Sequence, residues 1–307
     1  MKNTINFYYN IFLDELIKKD NCYYFYYGGD EYYFVPLNRP YDDVQSIYKL
    51  NLEMKKRRCL VHELVLNKDK SIITVVNGIS YVLIKLCKYK NDKVFLNDIN
   101  YIQNMTVNIE CDKSLVRNDW IKLWSEKIDY YEYQISQVGK KYPLLCDSLS
   151  YFIGMGENAI SYLVNNLDSK TNVNLVVSHK RIYQESGSLN FYDPLNFVVD
   201  SRVRDVAEFI KETFYNKTLN LYDLKSYFNM ANLNKNEYIL LLGRLLFPTY
   251  YFDIYDDIIN KGKSEELVIN IIDRTDEYES LLNTIYKFIL YEKKARLEPI
   301  EWLQDKN

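Results

Sequence analysis

Leu175-Val-Val-Ser-His179-Lys180-Arg181-Ile-Tyr-Gln-Glu-Ser186-Gly-Ser-Leu-Asn190-Phe-Tyr-Asp193-Pro-Leu-Asn-Phe-Val-Val-Asp200-Ser-Arg202-Val-Arg204-Asp205 is the one stretch of this chain with a chemical pattern. A short apolar strand, Val173 to Val177, delivers His179 to a loop. A second apolar strand is expected to end in Asp193. Arg204 and Asp205 then open a helix, since a carboxylate favours the free amides of a first turn.

Upstream the pattern is strand-rich. Cys22 to Tyr27 and Glu31 to Val35 are aromatic runs on either side of Gly28-Gly29, a strong hairpin signal. Asp42 and Asp43 are expected to cap a helix that carries Val44, Ile47, Tyr48 and Met54 to Arg58. Strands follow at Leu60–Asn67, Ser71–Val76 and Ile79–Cys87, with Asn77-Gly78 as a type I′ turn. Residues 88–98 are polar and read as a linker. Residues 1–95 therefore predict a small lobe of antiparallel sheet plus one helix, and 96–307 a larger helical lobe. In the second, Asn118 or Asp119 caps a helix bearing Trp120, Leu123, Trp124, Ile128, Tyr131, Ile135 and Val138, and Gly139 ends it. Phe152, Met155, Ala159, Ile160 and Leu163 mark a second helix, with Glu157 expected half-buried on it. Tyr238–Phe247 is nearly all apolar and predicts a buried helix. Asp276–Leu297 predicts a long final one.

The composition fits a globular protein. Of 307 residues, 48% are apolar and 26% charged, which excludes extended disorder. A net charge of -3 gives no electrostatic reason for nucleic acid or an anionic membrane as partner. The 31 tyrosines are spread along the whole chain, which favours compositional bias over an aromatic binding surface. Cys22, Cys59, Cys87, Cys111 and Cys146 are odd in number and far apart, the pattern of free thiols in a reducing compartment. Two histidines are too few for a His-rich metal site. No signal-peptide pattern stands at the start, and no apolar run approaches the ~20 residues that span a bilayer. A cytoplasmic protein is the expectation.

The His179 segment resembles the aminoglycoside and choline kinase-like superfamily. There a His-x-Asp loop is followed five residues later by Asn, then by a metal-binding Asp on the next strand and an Asp that opens a helix. One Asp accepts the proton of the substrate hydroxyl, while the Asn and second Asp hold magnesium on the phosphates. His179 fits the family His. Arg181 stands at the catalytic Asp, and Ser186 at the metal Asn. Asp193 takes the metal-binding Asp position, and Asp205 the helix-opening one. A guanidinium titrates above ~12, so it accepts no proton at neutral pH, and it repels magnesium. The strand before the helix, Glu31 to Pro36, lacks the phosphate-holding Lys, which leaves Glu53 without its partner. Lys85 lies on a later strand and reads as solvent-facing. Tyr151-Phe-Ile-Gly-Met-Gly-Glu157-Asn158-Ala159-Ile160 and Asp200 to Glu208 are similar to the spore-coat kinase-like proteins, the CotS and YutH group.

The resemblance implies an α+β, two-lobed protein-kinase-like (aminoglycoside phosphotransferase-like) fold and a place in the spore coat or its assembly. The expected function is that of a pseudokinase acting as a structural or interaction protein, with a protein partner and no cofactor. The alternative is a small-molecule phosphotransferase that uses ATP and magnesium through a rearranged site containing Asp193 and Asp200. A chance match on an unrelated α+β protein is the third reading.

Overall fold

The computed structural model describes residues 1–167 and 173–304. In chain order the elements are α1 (Lys2–Tyr9), β1 (Ile17–Lys19), β2 (Cys22–Tyr27), β3 (Asp30–Pro36), α2 (Tyr41–Lys56), β4 (Glu63–Val65), β5 (Ile73–Val76), β6 (Ile79–Lys85) and α3 (Leu96–Met105). Then come α4 (Trp120–Val138), α5 (Pro143–Asn166), β7 (Leu175–His179), α6 (Gly187–Phe191), β8 (Phe197–Ser201) and α7 (Arg204–Tyr215). The chain continues with α8 (Leu221–Ala231), α9 (Lys235–Leu246), α10 (Thr249–Lys261), α11 (Ile269–Ile272), α12 (Thr275–Tyr291) and α13 (Glu301–Gln304).

These elements form two compact units. The first is Met1–Val116 with Leu175–Asp200; the second is Arg117–Asn174 with the chain from Ser201 onward. This division differs from a cut at residues 95 and 96. Helix α3 and the β7–β8 segment join the sheet-bearing unit at the chain entering β4, where the Leu60 amide donates to Tyr101 Oη at 2.9 Å and the His62 amide to Tyr192 O at 3.0 Å, and they bond to each other. The Val177 amide donates to Thr106 Oγ1 at 3.0 Å, and the Asn108 amide donates to Leu175 O at 2.8 Å.

In the first unit the antiparallel sheet has the order β1-β2-β3-β6-β4, with β5 also on β6. Both predicted tight turns are present. Gly28 and Gly29 have φ of 61° and 82°, and Asn77 and Gly78 have 51° and 79°, the paired positive values a type I′ turn needs. Phe25 stacks on Tyr32 and Phe34 on Tyr81, with ring centroids 5.2 and 4.8 Å apart. Ile5, Ile11 and Leu13 bury against Phe25, Phe34 and Leu83, so the N-terminal segment covers this sheet face. Helix α2 buries Val44, Ile47, Leu50 and Met54. Its Asn51 side chain donates to His62 O (2.8 Å) and accepts from the Leu64 amide (3.2 Å), which fastens the helix to β4. Asp42 and Asp43 lie in the first turn without capping it; Asp43 pairs instead with Arg39 at 3.7 Å. Three strands, β4, β5 and β6, are shorter than the sequence suggests. The Asn67 side chain accepts from the amides of Asp69 and Ser71, both at 3.0 Å, and bends the chain into a turn.

The second unit is helical. On α4 the buried stripe is Trp120, Trp124, Ile128 and Tyr131, whereas Leu123 is 43% exposed and lies off it. Trp124 stacks on Trp120 at 5.4 Å and on Phe247 at 4.3 Å, so the tryptophan pair belongs to the core. Helix α9 buries every residue from Asn236 to Leu246. A reciprocal capping box opens it: Asn234 Oδ1 accepts from the Glu237 amide and Glu237 Oε2 from the Asn234 amide, each at 2.9 Å. Glu157 is exposed on α5, not half-buried. Helix α12 ends at Tyr291, short of Leu297, because Lys294 turns left-handed (φ 52°) and the Lys293 amide folds back on Phe288 O.

Helices α5 and α9 meet at Gly243, where an added Cβ would lie 2.4 Å from Leu163 Cδ2 and 2.7 Å from its Cγ. Gly243→Ala is therefore expected to destabilise by about 1–3 kcal/mol despite alanine's better helix propensity. Chemical denaturation of Gly243→Ala in a Leu163→Ala background checks the cause: the added cost of the glycine change should shrink once the leucine is gone.

Candidate functional site

The segment between β7 and β8 lies in the first unit and is folded into its own fasteners. His179, at the end of β7, is 2% exposed. Its Nε2 lies 2.7 Å from Phe191 O, and its ring stacks on Phe191 at 4.5 Å and meets Phe197 edge-on at 5.3 Å. Arg181 is half-buried and donates to Lys180 O at 2.9 Å. Ser186 Oγ donates to Tyr183 O at 2.7 Å. The two loop positions that the sequence resemblance matched to Asp and Asn therefore carry a guanidinium and a serine hydroxyl, each bonded to a nearby backbone carbonyl.

Asp193 does not end a strand. It precedes β8 and starts the turn Pro194–Asn196, where its carboxylate accepts from the Leu195 amide at 2.9 Å. Burial pushes its pKa up to about 6, against the smaller opposing pull of that amide and of Arg39. The acid on the next strand is Asp200, which is fully buried on β8. Asp205 sits one residue inside α7, after Val203 at the cap position. Among the described residues, no three Asp, Glu, His or Cys side chains converge as a metal-holding group. Asp193 Oδ1 is engaged by a backbone amide, and among the described residues no second and third carboxylate or imidazole stand with it as a metal-holding group.

A cavity of about 670 Å³ opens beside this segment. Ile17, Tyr24 and Tyr33 wall it from the sheet, Leu86 to Asp92 from the linker, and Glu185 to Leu189 from the loop. A second space of about 320 Å³ is lined by Tyr33, Val35, Ile84, His62 and Asp193. The β3 side chains lining the two spaces are thus Glu31, Tyr33, Val35 and Pro36, with no Lys among them. Lys85 on β6 pairs with Asp30 at 2.5 Å, and Glu53 with Lys56 of its own helix at 2.9 Å. The lysine–glutamate pair that a kinase uses to grip phosphates is not assembled from these residues.

Two features of the wall were not anticipated from the sequence. The first is His62. Its Nδ1 accepts from the Cys87 amide at 3.1 Å, its Nε2 lies 3.0 Å from Leu189 O, and its own amide donates to Tyr192 O at 3.0 Å. Burial pulls its pKa down to about 4, outweighing the bond to Leu189 O. The second is a backbone splice between linker and loop. The Ser188 amide donates to Asn91 O (2.7 Å), the Asn91 amide to Ser188 Oγ (3.0 Å), and the Val94 amide to Gln184 O (2.8 Å).

The sheet with its helices, the strand–His–loop–strand segment and the helical remainder define an aminoglycoside phosphotransferase-like, kinase-like α+β fold. Solved structures share it. An aminoglycoside phosphotransferase from Alicyclobacillus acidocaldarius superposes with a TM-score of 0.64 at 10% identity, covering 92% of this chain and 94% of that one. A spectinomycin phosphotransferase in complex with ADP and its antibiotic reaches 0.59 at 9% identity, covering 86% and 89%. The amicoumacin kinase hAmiN, in complex with AMP-PNP, calcium and amicoumacin, reaches 0.56 at 11% identity, covering 90% and 92%.

Within that class, the chain belongs to the family described as "Spore coat putative kinase YutH", which it matches over residues 2–285. It is 30% identical over 207 residues to the endospore coat-associated protein YutH of Bacillus subtilis (strain 168), an alignment that covers 60% of this chain and 61% of that protein.

The splice also tests the wall. Gly187 has φ of 60°, and a Cβ there would lie 2.5 Å from Asn91 O. Gly187→Ala must accept a left-handed backbone and push the linker away, so a loss of about 2–4 kcal/mol is expected in urea denaturation. Serine 188 changed to Ala removes only the Oγ bond and should cost about 1 kcal/mol.

Proposed function

We propose that this protein is a non-catalytic member of the kinase-like fold that serves as a structural or interaction protein of the bacterial spore coat, through contact with a protein partner. The observation that carries this reading is Arg181. Phosphoryl transfer to a hydroxyl needs a group at that loop position that takes up the hydroxyl proton, and a guanidinium stays protonated at any physiological pH. Its positive charge also opposes a divalent cation beside the phosphates. The coat assignment rests on the family and on the coat-associated relative.

A second reading, magnesium- and ATP-dependent transfer through Asp193 and Asp200, draws on one observation. Asp200 lies on the strand after the loop, where the phosphotransfer pattern wants a metal-binding acid. Against it stand the Asp193 carboxylate bonded to Leu195 N and the absence of Lys from the cavity-lining residues of β3.

A thermal shift assay separates the two. A ligand at a hundred times its dissociation constant stabilises by about 2.7 kcal/mol, which moves the melting temperature by several degrees. The expected result is no magnesium-dependent shift with millimolar ATP. A magnesium-dependent shift that disappears in Asp200→Asn would establish the second reading instead.

A further inference from the structure

His62 stands where three segments of the first unit meet: the exit of β6, the chain entering β4, and α6. Nδ1 accepts the Cys87 N–H, so it carries no hydrogen of its own, and the ring's single proton belongs on Nε2, facing Leu189 O. A neutral ring in this tautomer makes both bonds; a charged ring presents two N–H donors and has a partner for one.

We propose that His62 is a proton-released latch on the cavity of the first unit: the neutral ring ties the Cys87 wall to the Leu189 wall, and protonation undoes the Cys87 tie and frees that edge. Cys87, His62 and Leu189 all line the larger cavity, so the latch controls how open it is. The Ser188–Asn91 and Val94–Gln184 bonds contain no titrating group and hold the far end of α6, which makes them the hinge. This device operates whether or not the cavity admits a nucleotide.

The surroundings keep the ring neutral. From α2, the group that meets His62 is the uncharged Asn51 amide. From α6 and its exit come Leu189 O and the Tyr192 ring, edge-on at 6.3 Å. From β6 comes Cys87, whose thiol burial keeps protonated. The charged groups sharing the cavities are Lys19, Lys90, Glu31, Asp92, Glu185 and, in the smaller space, Asp193. Glu31 is held by Lys90 and Tyr24, and Glu185 by Lys93 at 2.8 Å. The sign follows. The free imidazole titrates near ~6.5, and the buried ring near about 4. Between those values the unfolded or opened chain binds the proton that the closed one refuses, so acid favours opening, and above the upper value the latch is fully shut.

Native-state amide exchange on the full chain tests this, with rates corrected for intrinsic pH dependence. Between pH 6.5 and 4 the Cys87 amide should lose about tenfold or more of its protection while the Ser188 and Val94 amides keep theirs. In His62→Gln, whose amide offers a donor and an acceptor and does not titrate, the loss at Cys87 should vanish. Asp193→Asn should leave it intact, since that carboxyl titrates in the same range but is not the latch. Ring nitrogen shifts of the wild-type protein at pH 7 should show Nδ1 bare and Nε2 protonated. Equal loss at Cys87, Ser188 and Val94 would mean global unfolding and overturn the proposal. So would an acid response abolished by Asp193→Asn, or a ring with its proton on Nδ1.

Discussion

Four successive carbonyls at the end of one short helix impose the order of the whole segment between β7 and β8. Helix α6 is too short to satisfy its own C-terminal acceptors, and each finds a donor in the surrounding chain. Ser188 O takes the Tyr192 amide, and Asn190 O takes the Asp193 amide and the Asn196 side chain. The other two are met by imidazoles. His62 reaches Leu189 O and His179 reaches Phe191 O. Both histidines of the chain are therefore used to close the same helix end. A buried carbonyl left without its donor costs about 1–3 kcal/mol, so these contacts are what hold the loop in a kinase-like course.

That constraint shapes the candidate site through backbone acceptors. Here two imidazoles, His179 at the end of β7 and His62 before β4, face carbonyls of the same short helix. Asp193, which the motif offered for magnesium, is likewise turned on a backbone amide at Leu195. The surrounding strands supply aromatic walls: Tyr24 and Tyr33 face the larger cavity, and Tyr24 also hydrogen-bonds Glu31.

What could be read from the sequence was whatever is decided locally. Gly28-Gly29 and Asn77-Gly78 announce their turns because positive φ is a property of those residues themselves. The apolar run at Tyr238–Phe247 announces a buried helix because a helix has no polar face there to expose. What could not be read depends on partners far along the chain. Nothing at Leu96–Met105 says that its helix will bond to β7, so its place in the first unit has no local signal. Asp193 looked like a strand end because Asn190 to Tyr192 ends in aromatics; the strand begins only at Phe197, after the Asp193-capped turn through Pro194. His62 gives one weak signal, a lone imidazole beside Glu63 among the apolar residues Leu60, Val61, Leu64 and Val65. Its partners are backbone groups at 87 and 189, which have no side-chain signature.

The family's description speaks of a putative kinase, and the reading proposed above is of a fold without the reaction. The two statements are compatible because they concern different determinants. Neighbours at 9–11% identity share the architecture, so the architecture is set by apolar periodicity and turn chemistry that many sequences meet. The bonds that position β7, α6 and β8 run through His62, His179 and the Asn91–Ser188 splice, and none of these needs a carboxylate at position 181. Charge at one loop position can reverse while the loop stays where it was. The same independence means that the fold alone gives no licence to assign phosphotransfer, and that the decisive chemistry lies in which atoms the two imidazoles and Asp193 already hold.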